Sequence, residues 1–481
     1  MTGLPRLTRP ADAPIPGIGV VHLGLGAFFR AHGALYLEEA MAKSGGDWGV
    51  LGVSLRSPGL RDRLAPQGFA YTTCELGPAG ETLHVATAVQ SMLVAPEDPQ
   101  AVLAAMADPA VTIVSLTVTE KGYCHAPSTG RLDFSHPDIV ADLADPARPV
   151  SAPGYLCRAL DRRRKAGIAP FTVLCCDNLP ENGAMLRGIV LELAARMDED
   201  LARWIEAECA FPCTMVDRIV PATTDADIER LAQRTGICDA APVMHEPFRQ
   251  WVIEDNFVGK RRPDFAAVGV ELVADVRPYE HMKLRCLNGT HSAIAYLGYL
   301  AGAETVSEAV ARPALAGFVR HLWAREIVPV LDPPSGVDLG VYTQALMQRY
   351  ANPGIRHRTR QIAMDGSLKL PQRILGSIAD NLAAGRAPKG LFLAVAAWMR
   401  YVSGVGEDGR PIDVRDPMAA RLKAVWDDND SVPEIVAGFL SIEQVFPENL
   451  ADHPVMQAGL IEALNALLDI GAEKAASGFV R

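Results

Sequence analysis

Residues 17–32 read GIGVVHLGLGAFFRAH, and this stretch decides the predicted fold. The run Gly17 to Leu23 is apolar enough to be buried on both faces, as the central strands of parallel sheets are. It leads into Gly24-Leu25-Gly26, and a helical pattern follows through Leu35 to Met41. Two glycines after a first parallel strand permit a tight turn and let backbone N–H groups approach a pyrophosphate. Phe29 replaces the third glycine of the usual pattern, so this segment alone fits a turn without a ligand equally well.

Similar apolar runs alternate with helical patterns before Asp275, which is typical of βαβ units around a mainly parallel sheet. The further predicted strands are Gly49–Leu55, Val111–Val118 and Phe171–Cys176, and the helices between them include Gln100–Met106 and Gly154–Lys165. After Asp275 long amphipathic segments take over. They include Pro371–Ala384, Leu391–Val402, Met418–Trp426 and Val455–Leu468. We therefore predict an α/β fold with a parallel sheet in residues 1–276 and a mostly α-helical part in residues 277–481.

Composition excludes several classes of protein. The 481 residues are 49% hydrophobic and carry a net charge of -11, which argues against binding to nucleic acid or to anionic membranes. The N-terminus lacks the apolar core of a signal peptide, and no apolar run approaches the length of a membrane span. Nine cysteines, an odd number, do not resemble a disulfide framework. We expect a cytoplasmic protein without a bound metal.

The end of the second predicted strand bears on the choice of nucleotide. Dinucleotide sites usually offer an acid there to the adenosine ribose. This chain instead has Leu55-Arg56-Ser57-Pro58-Gly59. Arg56 could face a 2'-phosphate or stack on adenine, so the sequence leaves both NAD and NADP open.

Three segments concentrate polar residues in apolar surroundings, and two of them follow predicted strands. They are residues 117–123 (TVTEKGY), residues 176–183 (CDNLPENG) and residues 282–292 (MKLRCLNGTHS). Ligands bind outside the carboxyl ends of parallel strands, which favours a site at the first two segments. On a regular α-helix Lys283, Asn288 and His291 would lie at about 0°, 140° and 80°, so the third segment would place all three on one face.

These residue types suit proton transfer at an alcohol. A buried lysine loses pKa readily and can act as a general base, and asparagine amides can hold a developing alkoxide without a metal. Glu120 could exchange a proton with that lysine or with water. Taken singly, Lys283 could equally be solvated, Asn288 and His291 could be satisfied core residues, and Glu120 could pair with Lys121.

The residues resemble the polyol-specific long-chain dehydrogenases, a family that includes mannitol 2-dehydrogenases and fructuronate reductases. The resemblance covers essentially the whole chain. It rests on Gly24-Leu25-Gly26, Thr119 to Tyr123, Cys176 to Pro180, Met215 to Ile219, Glu246 to Phe248, Lys283 to His291 and Asp365 to Ser367. It implies a Rossmann-type dinucleotide-binding domain over residues 1–276 and a helical substrate-binding and catalytic domain over residues 277–481. It also implies zinc-independent hydride transfer between a nicotinamide and an acyclic polyol or ketose.

The resemblance also assigns roles to single residues. Lys283 matches the general acid and base, Asn178 and Asn288 match the amides that stabilise the alkoxide, and His291 matches the residue that orients the substrate. Glu120 corresponds to the carboxylate that gates proton release. Further expected contacts are Asp217, Lys369 and Arg358 with the substrate, and Gly24, Gly26, Phe28, Arg30 and Arg56 with the cofactor.

The resemblance narrows the substrate to a class. The leading expectation is D-mannitol and D-fructose, and D-mannonate with D-fructuronate or another polyol such as arabinitol is the alternative. Gln361 stands where some members have an arginine that contacts the polyol, whereas Arg358, Arg360 or Lys369 could meet a substrate carboxylate. The simpler interpretation of Arg358 and Arg360 is that they are surface charges after a turn and do not contact the substrate. A nucleotide-binding sensor without turnover is the alternative outside enzymes, and the oligomeric state stays open.

Overall fold

The computed structural model describes residues 4–126 and 129–480. The chain divides into two compact units, Met1–Arg277 and Pro278–Arg481. All strands of the described residues lie in the first unit. They are β1 Ile18–Leu23, β2 Gly49–Ser54, β3 Tyr71–Gly77, β4 Gly80–Ala86, β5 Val89–Val94, β6 Ile113–Leu116, β7 Thr172–Cys175, β8 Thr214–Asp217, β9 Val243–His245, β10 Gln250–Glu254 and β11 Glu271–Val273.

The main sheet of the first unit has the order β5-β2-β1-β6-β7, and every neighbouring pair is parallel. The four strands predicted from the sequence are present, and their side chains are almost all buried because the sheet is covered on both faces. The predicted Rossmann-type fold is confirmed. β1 lies at the centre, so the residues that follow it reach the edge where the carboxyl ends of β2 and β6 also meet.

Among the described residues of the first unit, nine α-helices connect these strands. They are α1 Ala27–Ala31, α2 Gly33–Ser44, α3 Gly59–Leu64, α4 Pro99–Ala107, α5 Pro137–Ala144, α6 Ala152–Ala166, α7 Asn182–Met197, α8 Glu199–Glu208 and α9 Asp225–Thr235. α6 shows why such boundaries can be predicted. Ser151 accepts the N–H of Gly154 at its start, and Gly167 adopts a left-handed conformation at its end.

Two small sheets complete the first unit. The hairpin β3-β4 is antiparallel and β9 pairs with β3, while β10 lies between antiparallel β8 and parallel β11. The sequence analysis did not identify these six strands or β5. β9 and β11 have only three residues each, too few for an alternating pattern to stand out.

The second unit is helical, as predicted. Its α-helices, the first of which begins at the boundary, are α10 Arg277–Met282, α11 Thr290–Leu300, α12 Val306–Val310, α13 Pro313–His321, α14 Leu339–Tyr350, α15 Thr359–Ile362, α16 Gly366–Leu370, α17 Gly376–Ala383, α18 Lys389–Tyr401, α19 Ala419–Asp427, α20 Val432–Leu440, α21 Glu448–Ala451, α22 Pro454–Ile470 and α23 Ala472–Ser477. α18 is buried almost all round and packs against α11 and α22, as expected of a central helix.

Three segments of the second unit are π-helical, namely Lys283–Gly289, Leu322–Ile327 and Pro371–Leu375. Each continues directly from an α-helix. The predicted helix Pro371–Ala384 is therefore a π-helical turn followed by α17. Such turns are rare and occur often at functional sites. Among the described residues, every helix is too short or too polar to traverse a lipid bilayer.

His22 at the centre of β1 makes folding sensitive to acid. Its ring is fully buried, hydrogen-bonds the hydroxyls of Ser115 and Thr117, and stacks on Phe29 at 3.5 Å between ring centroids. Burial lowers the pKa of His22 to about 3. Below pH 6.5 the unfolded chain therefore binds a proton on His22 that the folded chain does not bind. The free energy of unfolding consequently falls as the pH drops from 6.5 towards 3.

We predict that His22→Gln flattens this dependence. Urea unfolding at pH 7.0 and 5.0 should show that the free energy of unfolding of the wild type declines faster than that of the variant. The difference in slope should approach about 1.4 kcal/mol per pH unit, the value for one proton. Equal slopes for the two proteins would contradict a neutral, buried imidazole at this position.

Candidate active site

The turn after β1 requires glycine at position 24. Gly24 has a φ of +86°, and its N–H donates to the carbonyl of Val53 at the end of β2, 2.8 Å away. A Cβ atom on Gly24 would lie 2.3 Å from the carbonyl oxygen of Thr117, which follows β6. The turn is therefore confined between two neighbouring strands, and only glycine fits both its conformation and its space.

Gly26 begins α1, and no side chain caps this helix end. The first N–H groups of a helix have no acceptor within the helix, so they can meet a pyrophosphate here. Phe29, in place of the usual third glycine, packs on His22 and occupies the space left by Gly33, where a Cβ atom would lie 2.6 Å from its ring. A glycine four residues further on thus accommodates the substitution, and the turn fits a dinucleotide.

The other predicted cofactor residues fall into two groups. Phe28 is half-buried next to the turn and stacks on His32 at 5.0 Å, and Arg56 is exposed after the end of β2. Arg30 points into the unit instead. Its guanidinium donates to the carbonyl of Ala241 at 2.5 Å and lies 5.1 Å from the centre of the Tyr71 ring. The structure therefore brings Phe28 to the glycine turn but engages Arg30 in the interior.

Asp177 joins the two polar loops that follow β6 and β7. Its carboxylate accepts the N–H of Val118 at 2.8 Å, the N–H of Thr119 at 3.2 Å and the hydroxyl of Tyr123 at 2.6 Å. Burial raises the pKa of Asp177 above its usual value, and these hydrogen bonds reduce the size of that increase. Thr119 has a φ of +65°, an unfavourable conformation for a β-branched residue. Asp177 thus holds a strained loop in place.

The same network positions two predicted site residues of the first unit. Glu120 follows Thr119, and Asn178 follows Asp177, so one carboxylate holds the backbone next to each of them. Both side chains are exposed. Asp217 is separate from this pair and buried at the end of β8, where it is opposite Gln250 of β10. Sequence reasoning missed Asp177, although its position directly before Asn178 was a signal.

In the second unit the π-helical segment Lys283–Gly289 carries Lys283 and Asn288, and both side chains are buried. In a π-helix the backbone of residue i bonds residue i+5, and Lys283 and Asn288 are five residues apart. The π-helical turn therefore makes the angle between the two side chains around the helix axis smaller than the 140° expected from a regular α-helix. This local geometry groups the amine and the amide on one face.

His291 lies in the first turn of α11, next to this pair. Its ring is 4.5 Å from that of Tyr350 and 5.4 Å from that of His357. Burial, together with the charges of His357, Arg349 and Arg373, lowers the pKa of His291 well below its usual range, so the imidazole is neutral at physiological pH.

Three buried nitrogen atoms in this group have no hydrogen-bond partner among the residues that the structure describes. They are Nδ2 of Asn288, Nε2 of His291 and Nδ1 of His357. Buried polar atoms are nearly always paired in folded proteins. An unpaired amide N–H beside a neutral imidazole can serve a ligand oxygen, and this is the strongest chemical signal in the second unit.

Lys369 and Arg358 were predicted to contact the substrate, and they have different surroundings. The Lys369 amine donates to the carbonyls of Ile362 and Met364 at 3.2 and 2.5 Å. Burial, followed by the charges of Lys369 and Arg373, lowers the pKa of His357 to about 4. The charge of Lys369 therefore acts on His357, the neighbour of His291. Arg358 is exposed and lines a surface cavity of about 730 Å³ with residues 299–304, 359–360, 406–408 and 410–412.

A metal-like cluster lies outside these groups. Cys124, His136 and Asp138 place possible ligand atoms within 4.8 Å of one another. Burial raises the pKa of the Cys124 thiol to about 12, and Nδ1 of His136 accepts the N–H of Asp138 at the start of α5. His136 therefore caps the first turn of α5, which gives this member of the cluster a structural role.

Comparison with known proteins gives this geometry a context. The family models described as the mannitol dehydrogenase Rossmann domain and the mannitol dehydrogenase C-terminal domain match residues 18–265 and 275–468. The chain is 44% identical over 460 residues to D-mannonate oxidoreductase of Escherichia coli K12, covering 95% of this chain and 94% of that protein. It is 42% identical over 471 residues to mannitol 2-dehydrogenase of Cereibacter sphaeroides, covering 97% of each.

A solved structure is also similar over most of the chain. Pseudomonas fluorescens mannitol 2-dehydrogenase, in a ternary complex with NAD and D-mannitol, has a TM-score of 0.87 and 38% identity. The alignment covers 96% of this chain and 94% of that one.

The glycine turn supplies a matched test. In Gly24→Ala the new Cβ atom would collide with the carbonyl of Thr117, in addition to about 1–2 kcal/mol for a left-handed alanine. We expect a lower thermal midpoint and at least roughly tenfold weaker NADH binding in a fluorescence titration, because the N-terminus of α1 moves. Gly188→Ala in α7 is the control, since its φ is not positive and its Cβ atom would meet nothing within 4 Å. NADH affinities that match between the two variants would contradict the requirement for glycine.

Proposed function

The chain belongs to the mannitol dehydrogenase family and is an NAD-dependent polyol dehydrogenase, and we propose that it interconverts D-mannitol and D-fructose. The observation that carries the proposal is a pair of buried nitrogens, on Asn288 and His291, that have no hydrogen-bond partner among the described residues and follow Lys283 by five and eight positions. These groups suit an alcohol that becomes a carbonyl, because its oxygen accepts hydrogen bonds throughout the reaction.

The proposed chemistry divides among the residues of each unit. A nicotinamide cofactor held at the glycine turn by Gly24 and Gly26 would supply hydride transfer, in polyol oxidation and in ketose reduction. Lys283 takes the hydroxyl proton during oxidation and gives it back during reduction. Asn288 donates from Nδ2 to the developing alkoxide, as does the amide of Asn178, and neutral His291 orients the hydroxyl group from Nε2.

The remaining predicted residues take supporting roles in this proposal. Glu120 passes the proton between Lys283 and solvent, and its exposure suits that exchange. Asp217 and Lys369 bind hydroxyl groups of the substrate away from the reacting carbon. In the dinucleotide-binding domain, proposed as residues 1–276, Gly24 and Gly26 approach the pyrophosphate, and Phe28 and Arg56 contact the rest of the cofactor. Residues 277–481 are the proposed substrate-binding domain.

A specific observation favours a second candidate, D-mannonate with D-fructuronate. His291 and His357 both lie within the electrostatic influence of cations, which are Arg349 and Arg373 for His291 and Lys369 and Arg373 for His357. A sugar acid carries a carboxylate that such cations would bind. D-mannonate oxidoreductase of Escherichia coli is also among the similar proteins. Arg358 remains a candidate for that carboxylate, although its side chain is exposed.

Steady-state kinetics with both ketoses decides between the two candidates. We expect kcat/KM for D-fructose with NADH to exceed that for D-fructuronate, and NADPH to be a poorer cofactor in the same assay. A kcat/KM for D-fructuronate that is larger by orders of magnitude would overturn the mannitol assignment and support the sugar acid. Absence of turnover with every polyol and ketose tested, despite NADH binding, would favour a nucleotide sensor.

Lys283→Ala tests the proposed mechanism directly. Loss of the acid and base should lower kcat by about 10²–10⁴-fold, while NADH affinity, measured by fluorescence titration, stays close to that of the wild type. Lys389→Ala is the matched control, because Lys389 is an exposed lysine of the same unit that pairs with Glu462. Near-normal turnover in Lys283→Ala, or loss of wild-type activity on adding a chelator, would contradict a metal-free lysine mechanism.

A further inference from the structure

Two carbonyl groups of the π-helical segment Lys283–Gly289 accept hydrogen bonds from side chains outside that segment. The Cys286 carbonyl accepts the indole N–H of Trp323 at 2.9 Å, and the Leu287 carbonyl accepts the hydroxyl of Tyr350 at 2.9 Å. Thr290, the next residue of the helix, also bonds the Cys286 carbonyl at 2.5 Å. Both carbonyls directly precede Asn288, so their partners bear on where that amide lies.

The two outside donors form one buried unit. Trp323 belongs to the π-helical segment Leu322–Ile327 and Tyr350 ends α14, and only 4% and 2% of their surfaces are exposed. Their rings stack with centroids 5.9 Å apart. Without the Trp323 N–H the Cys286 carbonyl would keep only the Thr290 hydroxyl as a side-chain donor. Without the Tyr350 hydroxyl the Leu287 carbonyl would lose its shortest side-chain hydrogen bond, and weaker pairing of a carbonyl is costly in an interior. The clamp, defined as Trp323 and Tyr350, therefore favours the backbone arrangement in which these bonds form.

That arrangement differs from a regular helix by a shift of one residue. In an α-helix a carbonyl accepts the N–H four residues on, and in a π-helix the N–H five residues on. A shift back to α geometry would rotate Asn288 relative to Lys283 and would move both carbonyls away from their side-chain donors. The clamp thus acts on the spacing between the two groups that transfer the proton and hold the alkoxide.

Two further contacts point the same way. The Tyr350 ring lies against the His291 ring at 4.5 Å, so one side chain touches the imidazole and binds the backbone before Asn288. Gly289 ends the π-helical segment where the Arg373 carbonyl approaches so closely that a Cβ atom would lie 2.6 Å from it. Arg373 belongs to the third π-helical segment, Pro371–Leu375. The segment is therefore fitted to its neighbours through backbone atoms as well.

We propose that Tyr350 and Trp323 are positioning residues of the dehydrogenase reaction. They hold the segment Lys283–Gly289 in its π-helical form, and Tyr350 also sets the plane of His291. Neither residue touches the reacting atoms in this proposal; each acts through Asn288, Lys283 or His291. The inference rests on the function proposed above for those three residues.

The test removes one donor at a time and keeps an aromatic ring at each position, the smaller phenyl ring in place of the indole of Trp323. Tyr350→Phe and Trp323→Phe should lower kcat by roughly 10- to 100-fold, the effect of a small misplacement of reacting groups, with a smaller change in KM for the polyol that the wild type turns over best. NADH affinity should stay unchanged. Hydrogen exchange by mass spectrometry should become faster in peptides that cover residues 283–291. Tyr401→Phe is the control, because its buried hydroxyl has no hydrogen-bond partner among the described residues.

Each outcome separates the clamp from the proposed activity. Faster exchange in residues 283–291 together with a loss of kcat beyond the loss of folded protein supports the clamp. Unchanged exchange, or faster exchange with wild-type kcat, overturns it. A kcat loss equal to that of Tyr401→Phe also overturns it. If the wild type turns over no polyol, the proposed function fails by itself, and unchanged exchange in both variants would then show that the clamp fails too.

Discussion

Buried carbonyl groups need donors, and this requirement governs the arrangement of the second unit. The π-helical segment Lys283–Gly289 places the carbonyls of Cys286 and Leu287 where the side chains of Trp323 and Tyr350 reach them. Those two side chains come from parts of the chain 37 and 63 residues away along the sequence. The spacing of Lys283 and Asn288 therefore depends on packing between helices that are distant in the sequence. A change in that packing would alter the position of the proposed proton-transfer group relative to the amide.

In the first unit a single carboxylate meets the converse need, an acceptor for the N–H and O–H groups of one loop. Asp177 accepts three hydrogen bonds from the loop after β6, and this loop contains the positive φ of Thr119. A desolvated carboxylate is stable there only because its donors are fixed. Glu120 and Asn178 each adjoin a residue of this network, so their backbone positions are coupled although their side chains face solvent. Asp177 in the first unit, like Trp323 and Tyr350 in the second, thus holds the backbone next to residues proposed to react.

The sequence predicted the elements that follow strong local rules. The four central strands are continuous apolar runs, and α18 and α22 are long and periodic, so each appears close to its predicted bounds. The π-helical turn could not be predicted, because periodicity analysis assumes 3.6 residues per turn and the donors that stabilise the turn are distant in sequence. Arg30 shows the same limit. Its place in the glycine turn suggested a cofactor contact, whereas tertiary packing directs its guanidinium to Ala241.

The buried nitrogens of Asn288, His291 and His357 have no hydrogen-bond partner among the described residues, and this lowers the stability of the fold. A buried donor without a partner costs about 1–3 kcal/mol, a sizeable share of a domain's net stability. Apolar side chains at these positions would remove that cost, together with the groups proposed to meet the substrate oxygen. Selection for thermal robustness alone would therefore erode this site first, and a substrate or inhibitor that engages these donors should raise the melting temperature more than its size suggests.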